Sequence, residues 1–273
     1  MLSDGIEVAM PTAESAGVLG GTLRALATSS DTSNVPITRL VIVDDESDDD
    51  TEELATARAD EYGWELRFIA RPTTLPEARE FAIATVESEW FLFLDDDVRL
   101  STTYLARLRD AVSPAVGAVQ GRKLSRDERN SDWVRRRARR GGTHATLCRH
   151  AAVADVSFPP DLVVLEDEYL RRHVEDGGYL WVFNHQARFD HASQDRHPIG
   201  WREGVLAGKY GLKPFHECAL NVPFAAVSGR DPIPHAKRAA GWIAGRLRAG
   251  GEPRRPTDRS TTEPTSTEVT HEK

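Results

Sequence analysis

The sequence predicts an α/β fold in which helices pack against a central parallel β-sheet, and two observations support this prediction. Short apolar runs alternate with segments of helical spacing through the first hundred residues. Such alternation is typical of βαβ units, whose strands lie parallel in one sheet. In addition, Trp90 to Leu94 is an unbroken apolar row, which is the pattern of a strand that is buried on both faces.

Each element in the first half of the chain has its own signal. Strands are predicted where short, mainly apolar runs end at a loop signal: Ile6 to Met10, Leu40 to Val43, Leu66 to Ala70 and Trp90 to Leu94. Helices are predicted where apolar residues recur at helical spacing or acidic residues begin a helical segment: Val18 to Leu26, Asp48 to Tyr62 and Leu75 to Val86.

The alternation loosens in the second half of the chain. The predicted elements there are a helix over Tyr104 to Val112, a strand over Val116 to Gln120, small strands or a hairpin within Thr143 to Phe158, a helix over Glu166 to Asp176, a strand over Tyr179 to Phe183 and a short helix over Trp201 to Tyr210. Residues 229–249 hold a basic amphipathic helix candidate with Trp242, and residues 250–273, rich in Pro, Thr, Ser and Glu, are predicted to be a disordered tail.

Composition narrows the class of protein. Of the 273 residues, 40% are hydrophobic and 29% are charged, which fits a soluble globular protein. No apolar run approaches the length of a membrane span and no signal peptide is recognisable, so a cytoplasmic location is expected, with a peripheral contact at the cytoplasmic face of the membrane left open. The net charge of −8 argues against nucleic-acid binding. Cys148 and Cys218 form neither a disulfide framework nor a zinc motif.

Two acidic clusters follow two predicted strands. Asp44 and Asp45 follow one of them, and Asp95, Asp96 and Asp97 follow the other. Ligands of open α/β sheets bind beyond the carboxyl ends of the strands, where these acids lie. Adjacent carboxylates repel one another, so the second cluster predicts a Mg²⁺ or Mn²⁺ site, with a solvated acidic turn as the alternative. Since there is no GxGxxG or Walker loop, a diphosphate would be held by the cation and by Arg residues.

A series of motifs in the chain resembles the family 2 glycosyltransferases. The motifs are Met10-Pro11-Thr12, the run from Val41 to Thr51, Pro76-Glu77-Ala78-Arg79, Phe91 to Asp97, Val164 to Leu170 with Gly178-Tyr179 beyond it, and His191. They resemble the family's Pro-Thr, Asp-Asp-Gly-Ser-x-Asp, Ala-Arg-Asn, Leu-Asp-x-Asp, Glu-Asp helix, Gly-Tyr turn and downstream His, in that order. The resemblance covers about Ile6 to His191.

The resemblance implies a GT-A fold, which is a Rossmann-like α/β/α sandwich with a mostly parallel central sheet. Residues 1–228 would form this domain, with a donor half at about 1–121 and an acceptor half at about 122–228. The implied activity is that of an inverting glycosyltransferase dependent on Mn²⁺ or Mg²⁺. It would move a sugar from a UDP- or GDP-sugar to the hydroxyl of a glycan or lipid-linked acceptor. Non-processive transfer is expected because the Gln-x-x-Arg-Trp element of processive synthases is absent.

The same resemblance implies a role for each matching residue. Asp167 would be the general base, and Asp97 and His191 would bind or lie beside the metal. Glu166 and Arg172 are further site candidates. The implied donor-binding residues are Pro11, Thr12, Asp44, Asp45, Arg79, Asp95 and Asp96.

The sequence departs from the family pattern at three positions, and several candidate site residues also have simpler structural explanations. Glu46 replaces a Gly, Glu80 an Asn and His173 an Arg. Arg79 could form a surface ion pair, Glu166 and Asp167 could be ordinary acids at a helix start, and His191 could be structural. The Arg135 to Arg140 run could be a solvated helix face or could hold an anionic acceptor such as a lipid phosphate. The alternative functions are a nucleotide-sugar-binding protein without transfer activity and a nucleotidyltransferase.

Overall fold

A computed structural model describes residues 2–124, 141–192 and 200–250. In these residues the strands are β1 (Ile6–Thr12), β2 (Ile37–Asp44), β3 (Glu65–Ala70), β4 (Trp90–Leu94), β5 (Val98–Leu100), β6 (Val116–Lys123), β7 (Ala145–Arg149) and β8 (Leu180–His191). The helices are α1 (Ala16–Ser33), α2 (Thr51–Tyr62), α3 (Leu75–Thr85), α4 (Tyr104–Arg109), α5 (Glu166–Asp176), α6 (Trp201–Lys209), α7 (Phe215–Val227) and α8 (Ile233–Arg248). Short 3₁₀ turns lie at Leu2–Asp4 and His150–Ala152.

The strands form one eight-stranded sheet in the order β3-β2-β1-β4-β7-β6-β8-β5. Strands β3, β2, β1 and β4 are all parallel, as are β6 and β8. Strand β7 lies antiparallel between β4 and β6, and β5 lies antiparallel on the edge of β8. The predicted α/β fold with a mostly parallel sheet is confirmed, and antiparallel β7 lies in the second half of the chain, where the strand–helix alternation of the sequence loosens.

Strand β4 lies near the middle of the sheet, and all five of its residues are buried. Trp90, Leu92 and Leu94 belong to a core that includes apolar residues of α1, α2 and α4. Phe91 and Phe93 belong to a second core with residues of α3, α5 and α6. The unbroken apolar run therefore serves two hydrophobic layers, as a strand between two layers of helices requires.

Several predicted boundaries change in the structure. Strand β8 continues to His191, far beyond the predicted end at Phe183, because it pairs with β6 and then with β5. Strand β5 and helix α7 were not predicted: β5 has only three residues, and α7 carries Pro223 in its interior. The Arg135 to Arg140 run and residues 251–273 lie outside the described residues. None of the described helices has both the length and the apolar composition that crossing a bilayer requires.

Candidate active site

A cavity of about 1170 Å³ opens at the carboxyl ends of β1, β2 and β4. Most of the residues predicted from the sequence line it, although they come from six separate stretches of the chain. The predicted residues in its wall are Pro11, Thr12, Asp45, Arg79, Asp95, Asp96, Asp97, Glu166, Asp167 and His191. Asp44 and Arg172 are not part of the wall.

Asp44 and Asp45 are neighbours in sequence but differ in their contacts. The Asp44 carboxylate is buried, and accepts hydrogen bonds from the Thr12 hydroxyl and from the Ser47 amide and hydroxyl, each at 2.7 Å. It therefore joins the end of β1 to the turn after β2. Asp45 faces the cavity, and its Oδ1 accepts a hydrogen bond from the Thr73 amide at 2.7 Å. Of the two, Asp45 is the one that lines the cavity.

The turn after β2 holds a non-glycine residue in a left-handed backbone conformation. Glu46, which stands in place of the motif's Gly, has a φ of 50°. This left-handed conformation costs an ordinary residue about 1–2 kcal/mol. The Ser47 contacts to Asp44 hold the turn in this strained form.

Glu46→Gly is expected to raise the free energy of unfolding by about 0.5–1 kcal/mol, because glycine removes the strain but gains entropy in the unfolded chain. Urea denaturation measures the change. Glu52→Gly in α2 removes the same charge at a helical position, and is expected to lower stability by about 1 kcal/mol. A loss of stability in Glu46→Gly would show that the Glu46 side chain supports the turn.

Asp95 is held on both of its carboxylate oxygens. Its Oδ1 is 3.2 Å from Nη2 of Arg79, and its Oδ2 is 2.6 Å from Nδ1 of His144. Burial alone would raise the pKa of Asp95, but the charge of Arg79 and the hydrogen bond from His144 hold it well below the usual range. The same contact raises the pKa of His144 to about 9 despite its burial. Asp95 is thus a fixed anion.

The two following acids have different surroundings. Burial raises the pKa of Asp96 to about 6, with the charges of Asp95 and Asp97 adding to the effect and the Ser15 hydroxyl opposing it. Oδ2 of Asp97 lies 3.4 Å from Nδ1 of His191. Asp97 is also largely buried, at 8% exposure. Each of the three adjacent carboxylates therefore has its own partner, and these contacts offset the repulsion between them.

The groups around His191 fit a divalent cation. Nε2 of His191 is buried and has no hydrogen-bond partner among the described residues. Asp95, His144 and His191 each offer a ligand atom, and these atoms all lie within 4.8 Å of one another. Asp97 lies beside this group, with its Oδ2 3.4 Å from Nδ1 of His191. Carboxylate and imidazole together suit Mn²⁺.

His144 and Thr143 are site residues that the sequence did not reveal. They precede β7, which runs antiparallel to β4 with Leu94 opposite Ala145. The amino end of β7 therefore lies at the same edge as the carboxyl end of β4, so the His144 side chain reaches Asp95 and the Thr143 side chain reaches Asp167. Only the strand direction shows this, and no motif marks it.

Asp167 lies in the first turn of α5 and is held from one side. Its Oδ1 accepts a hydrogen bond from the Thr143 hydroxyl and longer ones from the Thr143 amide and from Nη1 of Arg79, both at 3.3 Å. Within residues 2–124, 141–192 and 200–250, every contact to its carboxylate is made at Oδ1. Its other oxygen, Oδ2, has no hydrogen-bond partner among the described residues. The Asp167 side chain lines the cavity.

Arg79 connects the two acidic parts of the site. Its side chain is 1% exposed, so the alternative of a surface ion pair is wrong. Asp95, Asp167 and, at 4.0 Å, Glu166 surround its guanidinium. Burial alone would lower the pKa of Arg79, but these carboxylates raise it. Arg79 therefore fixes the position of the predicted base relative to the acids after β4.

Glu166 is expected to lower stability as pH rises. Burial and the charge of Asp167 raise its pKa from 4.5 to about 7, with Arg79 opposing them. Between these pH values the folded protein keeps a proton that the unfolded chain releases, so stability falls and then levels above pH 7. Glu166→Gln removes this loss, and is expected to be more stable than the parent at pH 8 by on the order of 2 kcal/mol.

Urea denaturation at pH 4.5 and pH 8 measures this difference, which should shrink at the lower pH. Glu175→Gln on the exposed side of the same helix serves as the control. It removes the same charge, and its effect on the free energy of unfolding is expected to be less than about 1 kcal/mol. An equal effect of Glu166→Gln at both pH values would contradict the raised pKa.

The other departures from the family pattern have structural partners. Glu80 accepts a hydrogen bond from the Phe158 amide at 3.0 Å, and buried His173 lies 3.0 Å from Asp155 through Nε2. Both contacts tie helices to the segment that follows β7. Neither residue lines the cavity, so their substitution leaves the acids of the site in place.

The far wall of the cavity comes from α6 and the segment after it. Arg202, Glu203 and Lys213 line this wall. Oε1 of Glu203 accepts a hydrogen bond from Nζ of Lys213 at 2.8 Å and another from Nη1 of Arg238 at 3.3 Å. Burial alone would raise the pKa of Glu203, but these two cations lower it. The wall is therefore cationic overall, and it joins the cavity to helix α8.

A family model settles the class of the protein. Residues 7–163 match the model described as "Glycosyl transferase family 2". The chain belongs to this family. The match spans β1 through the segment before α5, and so includes both acidic clusters and Arg79. The resemblance seen in the sequence is confirmed, and with it a glycosyltransferase of a family that uses nucleotide sugars. No curated protein matches the chain in sequence.

Solved structures share the GT-A fold. The mannosyltransferase PcManGT from Pyrobaculum calidifontis, in complex with GDP-Man and Mn²⁺, gives a TM-score of 0.59 at 17% identity over 91% of this chain and 76% of that chain. TarS from S. aureus gives 0.56 at 17% identity over 81% of this chain, which spans 42% of the TarS chain. Mannosyl-3-phosphoglycerate synthase from Rubrobacter xylanophilus gives 0.52 at 15% identity, covering 72% and 71%. At these identities the likeness concerns the fold.

Proposed function

We propose that the protein transfers a sugar from a nucleotide-diphosphate sugar to an acceptor hydroxyl, with inversion at the anomeric carbon. The observation that carries this proposal is the arrangement around Arg79. It joins the acids at the end of β4, where a donor would lie, to Asp167, whose Oδ2 has no hydrogen-bond partner among the described residues. A base and a donor site thus face one cavity, as an in-line displacement requires.

In the proposed reaction Oδ2 of Asp167 takes the proton from the acceptor hydroxyl while that oxygen attacks the anomeric carbon. The bond from this carbon to the diphosphate breaks, and the nucleoside diphosphate leaves from the opposite face. Thr143 and Arg79 hold Oδ1 so that the free oxygen keeps its direction. Pro11, Thr12 and Asp45 border the nucleotide, and Asp95 and Asp96 are placed for hydroxyls of the ribose or sugar.

The acidic cluster supports a divalent cation on the diphosphate. Asp97 and His191 would hold Mn²⁺ or Mg²⁺, and the unpartnered Nε2 of His191 is the structural reason to include that residue. When bound, the cation neutralises charge on the leaving diphosphate. PcManGT was solved with GDP-Man and Mn²⁺, and TarS with UDP-GlcNAc. We propose a GDP- or UDP-sugar as the donor class.

Residues 1–228 are proposed to form the catalytic domain, with the acceptor on the side of the cavity formed by α5 and α6. The cationic wall at Arg202 and Lys213 favours a glycan or lipid-linked acceptor that carries an anionic group, and transfer is proposed to be non-processive. Glu46 and His173, the departures that favoured a binding protein without activity, leave the acids of the cavity in place.

Product analysis tests the reaction class. The protein is incubated with UDP- and GDP-sugars, Mn²⁺ and an acceptor panel that includes phosphorylated and unphosphorylated glycans. Free nucleoside diphosphate and a product of inverted anomeric configuration, read by NMR, are expected. Pyrophosphate would indicate nucleotidyl transfer, and donor binding without any turnover would indicate a binding protein.

Asp97→Ala is expected to remove metal-dependent donor binding. In a thermal-shift panel of nucleotide sugars, a donor at about one hundred times its Kd should raise the Tm of the parent by roughly 5 °C in Mn²⁺. The variant should lose this shift, because Asp97 is the proposed metal ligand. Asp48→Ala, on the exposed side of the turn after β2, should retain it. A full shift in Asp97→Ala would place the cation on other residues.

A further inference from the structure

The exposed apolar surface of this protein is concentrated on its last three helices. Eight of the eleven large hydrophobic side chains that are exposed within the described residues lie on α6, α7 or α8. They are Trp201, Phe215, Leu220, Phe224, Val227, Ile233, Ile243 and Leu247. Exposed apolar side chains concentrated on one part of a protein mark a site of association. We call the part on α7 and α8 the C-terminal apolar face.

Helix α8 has its small residues inside and its large apolar residues outside. Gly241 and Gly245 pack against α6, where an added Cβ at Gly245 would lie 2.0 Å from the Val205 carbonyl oxygen. Ile243 is 48% exposed and Leu247 is 76% exposed on the other side. A helix of a water-facing surface shows the opposite arrangement. The outward side of α8 is therefore suited to an apolar environment.

Helix α7 continues the same surface. Leu220 is 61% exposed and Val227 is 85% exposed, whereas Cys218, Asn221 and Ala225 face inward. Phe215 packs against Trp242 of α8, with ring centroids 5.2 Å apart. This contact joins the two helices into one unit. Trp242 itself points inward, donating its indole N–H to the Lys213 carbonyl, so the outer apolar contacts come from its neighbours.

Charge distinguishes this region from the rest of the chain. Residues 214–250 hold five Lys or Arg and two Asp or Glu, in a protein whose net charge is −8. Arg230, Lys237 and Arg248 are exposed at the borders of the apolar face. Basic side chains around an apolar helical face are the pattern of a surface that binds anionic lipids.

We propose that the C-terminal apolar face docks on an anionic membrane, with α7 and α8 lying in the plane of the headgroups. Two other occupants fit less well. A second copy of the chain would bring the same basic border against itself, which repels. Residues 251–273 contain a single large hydrophobic residue, Val269, and so have too little apolar surface to cover the face.

The docking surface is joined to the proposed acceptor side of the cavity. Glu203, in the cavity wall, forms its ion pair with Arg238 of α8. A membrane at α7 and α8 would thus lie next to the helices that line the cavity, where a lipid-linked acceptor would enter. This last step depends on the proposed function. Membrane docking itself does not, and vesicle binding is measured without any turnover.

Flotation of the full chain with vesicles tests the proposal. Binding is expected to vesicles of phosphatidylcholine and phosphatidylglycerol in equal parts, with little binding to phosphatidylcholine alone. The double variant Leu220→Gln, Leu247→Gln should lose binding by about tenfold or more, since each exposed leucine would enter the lipid. Leu180→Gln on β8, exposed to a similar extent at 56%, is the matched control and should bind as the parent does.

A second pair of changes tests the electrostatic part. Lys237→Gln with Arg248→Gln should weaken binding to the anionic vesicles severalfold, and high salt should do the same to the parent. The proposal is overturned if the parent fails to float with anionic vesicles or if the double leucine variant binds equally well. It is also overturned if light scattering shows a dimer in solution that the leucine changes dissociate, because the face would then pair two copies.

Discussion

Asp167→Asn is expected to abolish sugar transfer while leaving donor binding nearly intact. The amide cannot accept the proton of the acceptor hydroxyl, and general base catalysis alone contributes at least about a hundredfold. The substitution keeps the shape of the side chain, and its carbonyl oxygen can still accept the hydrogen bonds that Oδ1 receives from Thr143 and Arg79. kcat should therefore fall by at least about a hundredfold, with the donor-induced rise in Tm retained.

The control for this change is Asp176→Asn at the exposed end of the same helix, which should keep full activity. Thr143→Val removes the hydroxyl that holds Oδ1 but leaves the base in place. It should lower kcat less than Asp167→Asn does, and displace the pH profile of kcat. Full activity in Asp167→Asn would remove the base from the proposed mechanism and require another group in the cavity.

The parts of the site that could be predicted are those that follow a parallel strand. The acids after β2 and β4 could be predicted because each comes directly after a buried apolar run, and the carboxyl ends of such strands share one edge. The general position of Asp167 and His191 came from motif order rather than from local physics. The long β8, which brings His191 to this edge, had no signal beyond its first residues.

His144 and Thr143 could not be predicted because their role depends on strand direction. A short apolar run such as β7 pairs equally well in either direction as far as its sequence shows. Only the antiparallel direction between β4 and β6 places its amino end beside Asp95. The ion pairs of Arg79 could not be predicted for a similar reason. Its partners Asp95 and Asp167 are 72 residues apart in the chain, and only the tertiary fold brings both to the Arg79 guanidinium.

Arg79→Met is expected to lower the free energy of unfolding by about 3–5 kcal/mol, which is the usual cost of removing one partner from a buried ion pair. The change leaves Asp95, Glu166 and Asp167 close together with no guanidinium between them. The pKa values of Asp95 and Glu166 should rise in the variant, because the cation that lowers both has been removed. Folding then requires Asp95 and Glu166 to take up protons, so the loss of stability should be largest at pH 8 and smaller near pH 5.

Urea denaturation across this pH range measures the effect, with Arg58→Met as the matched control. Arg58 pairs with Glu61 on the surface of α2, and its removal should cost at most about 1 kcal/mol with little dependence on pH. Arg79→Lys keeps the charge but cannot reach Asp95 and Asp167 with separate nitrogens of one planar group. It should recover part of the stability and little of the activity, because the position of Asp167 depends on the forked contact. If Arg79→Met were as stable as the Arg58 control, another group would have to offset the repulsion between the three acids.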